Sequence, residues 1–134
     1  MVQYAKKETL QDKPFFLFGH SLGGLIVFTY GLTYPAEDYS SMCLSGPAFG
    51  VSAKVPPTKD AAARLLNKFA PKITIKHQIT YSDLSRDQEL ISTYSKDPLR
   101  HQKFSAPLYI GMFEAMKAAH SRAHLLKRPI FIQA

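Results

Sequence analysis

Phe15-Phe16-Leu17-Phe18-Gly19-His20-Ser21-Leu22-Gly23-Gly24 is the stretch whose reading decides the fold of this chain. Four consecutive apolar residues, Phe15 to Phe18, have the length and character of a strand buried on both faces. Gly19 to Gly24 punctuate the run. From Leu22 to Thr33 the chain is apolar nearly all round, with Leu25, Ile26, Val27, Phe28 and Leu32, as a buried helix is. Tyr34-Pro35 stops that helix. Tyr39 to Leu44 reads as a second strand, closed by the turn Ser45-Gly46-Pro47. Strand, helix and strand in this order make the unit of a parallel sheet.

At the first strand–helix junction, Gly19-His20-Ser21-Leu22-Gly23 fits the pattern G-x-S-x-G, the nucleophile elbow. A serine there sits on a very sharp turn in a strained backbone conformation. Glycines two positions to either side, Gly19 and Gly23, are expected to let strand and helix approach without a Cβ clash. The helix N-terminus lies beneath the serine, where free N–H groups favour a developing negative charge. The Leu22 N–H is the expected oxyanion donor. A bare match to the pattern arises by chance in about one chain of this size in twenty. What gives it weight is the buried strand directly before it and the helix directly after.

Outward from this unit the character changes after Gly50. Val2 to Gln11 reads as a short helix ended by Asp12-Lys13-Pro14, and Val55-Pro56-Pro57-Thr58 as a stiff connector. Lys59 to Ala70 reads as an amphipathic helix with Ala62, Leu65, Leu66 and Phe69 on one side. Ser85 is placed to cap a helix running through Glu89, Leu90 and Tyr94 to Asp97-Pro98. Phe104 to Leu126 reads as a longer helix carrying Leu108, Met112, Met116 and Ala119. Pro129 to Ile132 opens a further apolar strand.

The 134 residues amount to one domain of ordinary globular composition, 46% hydrophobic and 20% charged, without repeats or low-complexity tracts. No apolar stretch has the ~20 residues of a membrane helix. Met1 to Asp12, with Lys6, Lys7 and Glu8 and no apolar core, do not read as a signal peptide, so a soluble protein is expected. The lone Cys43 excludes an intramolecular disulfide and is expected to be an inert core thiol. The net charge is +7, and residues 51–105 hold ten basic and five acidic side chains. That excess suits an anionic lipid surface or an acidic partner or, equally, the solvated faces of several helices. The basic residues are singly spaced with no nucleic-acid motif beside them, which argues against a nucleic-acid partner.

The decisive stretch resembles the α/β-hydrolase superfamily, in its monoacylglycerol lipase and lysophospholipase-like branch. Further segments resemble that branch in the same order: Leu44-Ser45-Gly46-Pro47-Ala48, then Leu84-Ser85-Arg86-Asp87, then Tyr94-Ser95-Lys96-Asp97-Pro98-Leu99, then Arg128-Pro129-Ile130-Phe131-Ile132-Gln133-Ala134. The resemblance implies an α/β fold: an incomplete parallel-sheet core in residues 1–50 with the elbow, a helical cap in 51–106, and a return to the core in 107–134. It implies a serine hydrolase that cleaves a lipid carboxylic ester, monoacylglycerol or lysophospholipid, through an acyl-enzyme on Ser21, with no metal or organic cofactor. An apolar inner side of the cap would suit a long acyl chain. The cap's basic outer face implies peripheral contact with a membrane, in a protein expected in the cytoplasm.

Such a serine needs a base and a group to orient that base. In the family these follow in the order Ser, acid, His, and both are expected beyond Ala134. None of the five histidines replaces them. His20 precedes the serine and is expected to pack or bond locally, while His77 and His101 fall in the cap. His120 and His124, four apart on one helix face, have a metal-binding spacing, but Ser121 stands where a zinc-protease helix carries Glu, and a solvated basic helix end is the simpler reading. Asp83, Asp87 and Asp97 read as caps and turn residues. The alternative is therefore a truncated, non-catalytic fragment, acting at most as a lipid-binding or interaction module.

Overall fold

The structure, a computed structural model, describes residues 2–9, 13–34, 39–51, 56–76, 85–99 and 103–133. Gln11, Asp12, Pro35, Val55, His77, Asp83, Leu84, His101 and Ala134, all named above, lie outside these residues. The chain divides into two compact units, one of residues 1–54 with 111–134 and one of residues 55–110.

In the first unit, α1 (Val2–Thr9) precedes β1 (Phe16–His20), α2 (Leu22–Thr33) and β2 (Ser41–Ser45). β5 (Ile130–Gln133) completes a three-stranded sheet in the order β1-β2-β5. Both pairings are parallel, and His20, Ser45 and Gln133 share one row at the carboxyl ends of the strands. A parallel neighbour requires a crossover, and α2 supplies it between β1 and β2. α2 ends because Tyr34 turns extended, its N–H still donating to the Tyr30 carbonyl at 2.9 Å.

The core lies on one face of this sheet. Leu17, Met42 and Leu44 from the strands pack with Leu25 and Phe28 of α2 and with Met116 and Ala119 of α5 (Ala106–Arg122). Tyr39 joins them, and burial pushes its phenol above the usual range, partly opposed by the charge of Arg128.

The other face differs from the expectation of a strand buried on both sides. Phe16 and Phe18 are 61% and 67% exposed, alternating with buried Leu17 and Gly19. Phe131 shares a row with Phe18 and Cys43, and it too is exposed. Cys43 is accordingly half-buried instead of sealed in the core. The reason is that α2 and α5 both add to the opposite face. α2 is likewise one-sided, with Gly24, Leu25 and Phe28 buried and Ile26 exposed.

The second unit holds α3 (Pro57–Phe69), β3 (Thr74–Lys76), α4 (Gln88–Lys96) and β4 (Lys103–Ser105), and α5 begins within it. β3 and β4 pair antiparallel, Ile75 opposite Phe104, a three-residue ribbon too short to show as a period in the sequence. Of the expected apolar side of α3, Ala62, Leu65 and Phe69 face water, Leu65 being 60% and Phe69 71% exposed, while Leu66 is half-buried and the neighbouring Ala63 is buried. Lys68 Nζ lies over the Phe69 ring, 5.4 Å from its centroid. Asp60 pairs with Arg64 one turn on at 2.9 Å, an exposed pair of small energetic value. Burial, with Asp60 adding to it and Arg64 opposing, pushes the Tyr109 phenol upward. The cap of α4 is Asp87, whose Oδ1 accepts from the N–H groups of Glu89 and Leu90 at 2.9 and 3.2 Å. Ser85 serves one step earlier, its hydroxyl accepting the Asp87 N–H at 3.1 Å.

Candidate active site

Ser21 occupies the junction of β1 and α2 with φ +52° and ψ −119°, the one non-glycine positive φ among the described residues. A left-handed conformation costs a residue with a Cβ on the order of 1–3 kcal/mol and persists only where its surroundings enforce it. Here the backbone of Ser21 is held on both sides. Its N–H donates to the Ser45 carbonyl at 3.0 Å. Its carbonyl accepts from Ala48 at 2.9 Å and from Leu25 at 3.3 Å. The segment Ser45–Phe49, leaving β2, thus wraps the turn from outside the helix.

Glycine is required where the backbones meet. A Cβ on Gly19 would lie 2.6 Å from the carbonyl carbon of Gly23 and 2.7 Å from the nitrogen of Gly24. Gly23 differs from the expectation: a Cβ there would meet nothing within 4 Å, because its side-chain direction leads away from the strand. The second crowded position is Gly24, where a Cβ would sit 2.8 Å from the Pro47 Cβ. Sequence reasoning overlooked both partners of that contact. The doublet Gly23-Gly24 and the proline two residues past β2 were the available signal.

The Ser21 side chain is exposed and makes no capping hydrogen bond to α2, although a serine at an N-cap ordinarily does. Leu22 is the first residue of α2, so its N–H is among the donors without an acceptor inside the helix. The site also lies at the carboxyl ends of the parallel strands, where open α/β sheets bind ligands. A hydroxyl and a helix-end N–H side by side suit attack on a carbonyl and stabilisation of the resulting oxyanion.

The histidines go elsewhere. His20 Nδ1 lies 3.3 Å from the Ser45 hydroxyl, the local bond expected of it. His120 Nε2 lies 2.8 Å from the Phe49 carbonyl oxygen. His120 and His124 do not share a face of one α-helix, because α5 ends at Arg122 and Ala123–Leu125 form a 3-10 turn. Among the described residues no three His, Cys, Asp or Glu side chains converge as a metal site, and no helix is long and apolar enough to cross a membrane.

Comparison with known proteins gives this geometry its setting. The family Hydrolase_4, described as "Serine aminopeptidase, S33", matches residues 1–134. A monoacylglycerol lipase of Mycolicibacterium smegmatis is 38% identical over 120 residues, 89% of this chain and 42% of that protein. The phospholipase YtpA of Bacillus subtilis is 28% identical over 108 residues, 81% of this chain and 42% of that protein. The crystal structure of Paleococcus ferrophilus monoacylglycerol lipase superposes with a TM-score of 0.82 at 35% identity, covering 98% of this chain and 52% of that one. The chain thus spans about half the length of the relatives it matches. With a match along its whole length and a solved relative of the same sheet, the chain belongs to the Hydrolase_4 (Serine aminopeptidase, S33) family of α/β-hydrolases.

Proposed function

We propose that Ser21 is the nucleophile of a lipid carboxylic ester hydrolase, acting on a monoacylglycerol or lysophospholipid in the whole protein. The observation that carries this reading is the positive φ of Ser21, which turns an uncapped, exposed hydroxyl outward at the start of α2. The Ser21 oxygen attacks the ester carbonyl as its proton passes to a base, and the carbonyl oxygen becomes an oxyanion facing the Leu22 N–H. Collapse of the tetrahedral intermediate expels the alcohol, glycerol from a monoacylglycerol or a glycerophosphodiester from a lysophospholipid, which takes up the proton from the base. Water then repeats the attack on the acyl-Ser21 ester and releases the fatty acid.

The base and the acid that orients it are read as lying outside these 134 residues, in the order Ser, acid, His; among the described histidines, His20 and His120 are bonded to Ser45 and Phe49. The 134-residue chain alone is therefore read as inactive, at most a lipid-binding or interaction module. Residues 51–106 are read as the cap, whose basic surface and exposed Leu65 and Phe69 make peripheral contact with a membrane from the cytoplasmic side. No cofactor enters this chemistry.

The test is a panel of monoacylglycerol, lysophospholipid and short soluble esters given to the whole protein and to its Ser21→Ala variant. The expected result is turnover of the lipid esters and a loss on the order of a million-fold with Ser21→Ala, the scale seen when a triad serine is removed. Turnover of short soluble esters alone overturns the lipid assignment, and activity surviving in Ser21→Ala overturns the nucleophile. Strong Ser21-dependent labelling of the 134-residue chain by a fluorophosphonate overturns its inactivity.

A further inference from the structure

We infer that His120 is a positioning residue that clasps the Ser45–Phe49 segment and, through it, fixes the conformation of Ser21. The inference rests on the reading of Ser21 as nucleophile, and it assigns His120 no contact with substrate. Three groups in five residues of that segment hold the strained turn. The Ser45 carbonyl accepts from Ser21, the Ala48 N–H donates to Ser21, and Pro47 lies against Gly24. Phe49 then anchors the free end of the segment twice. Its ring packs edge-on against Phe28 of α2, with centroids 4.9 Å apart. Its carbonyl oxygen lies 2.8 Å from His120 Nε2 on α5, across 71 residues of sequence.

A carbonyl can only accept, so Nε2 of His120 carries the proton and is committed to this bond. That role differs from both a solvated helix-end histidine and a general base. It also differs from packing, because the His120 side chain is exposed and fills no core. The segment has no ladder partner beyond Ser45 apart from the Gly46 N–H, which donates to the Gln133 carbonyl at 2.7 Å. Its far end is therefore held by Phe49. Loosening Phe49 would let the Ala48–Ser21 bond open, and the left-handed Ser21 would lose part of what enforces it.

The experiment compares His120→Ala, His120→Gln and the exposed control Lys117→Ala on the same helix. It reads amide hydrogen exchange at Ala48 and Ser21 in the protein, and kcat and KM on a monoacylglycerol in its whole active form. Expected is an exchange rate at Ala48 raised about five- to tenfold by His120→Ala, the scale of one lost hydrogen bond. The Met42 amide inside the sheet should stay as it was. In the same variant kcat falls about three- to tenfold with KM unchanged. Gln presents an N–H where Nε2 stands, so His120→Gln should restore both readings to within about twofold. Unchanged exchange at Ala48, an equal rise at Ala48 and Met42, or failure of Gln to rescue overturns the clasp. The failure of the nucleophile reading is separate: it shows as activity surviving in Ser21→Ala, and the exchange measurements judge the clasp in either case.

Discussion

Leu25, Met42 and Leu44 of the first unit are almost wholly withdrawn from water, whereas the buried residues described in the second unit are Ala63 and Ala106. A large apolar side chain contributes about 1.5–3 kcal/mol when fully buried, and an alanine far less. The sheet unit can therefore impose a strained conformation on Ser21 because its own framework is well secured. The second unit instead leaves Leu65, Phe69, Ile73, Leu99 and Leu108 in contact with water. It is built from amphipathic helices and a short ribbon, and its apolar surface is available to something outside it. A strained turn beside a buried framework and an exposed apolar surface within residues 55–110 are thus divided between two parts of one chain.

The comparison breaks most visibly with a matched pair of truncations. Leu44→Ala should cost about 2–5 kcal/mol in chemical denaturation, as full burial in a packed core dictates. Leu65→Ala should lie within about 0.5 kcal/mol of the parent. Equal costs would mean that Leu65 is buried in the protein in solution. The same Leu65→Ala should weaken sedimentation with anionic phospholipid vesicles, which Leu44→Ala should affect only through unfolding.

Next in size is Gly24→Ala. Its Cβ would press on the ring of Pro47, and overpacking of this kind costs about 1–3 kcal/mol, exceeding the gain in helix propensity of an added alanine. Gly23→Ala, with open space around it, should instead be neutral or mildly stabilising in the same denaturation series. The reverse order would show that the elbow tolerates a side chain at Gly24 by moving the Ser45–Phe49 segment.

A smaller loss is expected at the cap of α4 in the second unit. Asp87→Ala removes the acceptor of two N–H groups at the start of α4, worth about 1 kcal/mol. Ser85→Ala should cost less, because its hydroxyl holds the capping residue and not the helix. Circular dichroism through the thermal transition reads both, and a larger loss with Ser85→Ala would return the cap to that residue.

Much of the first unit was legible because its signals are local. The apolar run Phe15–Phe18, the glycines after it and the return to an apolar period at Leu22 place β1, the turn and α2, and α2 spans the expected Leu22–Thr33. The parallel pairing follows from strand, helix and strand in sequence. Near-continuous apolarity misled in one respect, since it does not say how many faces are covered, and Phe16, Phe18 and Ile26 are exposed here. In the second unit the periods predicted the helices but not which side of α3 turns inward. Ala63 is chosen over Leu65 and Phe69 by neighbours that no helical period specifies. Ser85 and Asp87 are both good capping residues, and where the helix actually begins decides between them.

By itself the sequence determined the strand, sharp turn and helix around Ser21, because steric limits on backbone dihedrals and apolar periodicity act over a few residues. Tertiary structure alone decided what holds that serine. Ser45 and Ala48 reach Ser21 only once β2 is laid beside β1. Gly24 is crowded only once Pro47 passes over it, and His120 reaches Phe49 across 71 residues only when α5 packs back on the sheet. Such bonds depend on where distant backbone atoms come to rest, and a hydrogen bond that fails at a few tenths of a nanometre leaves no period or motif in the chain to announce it.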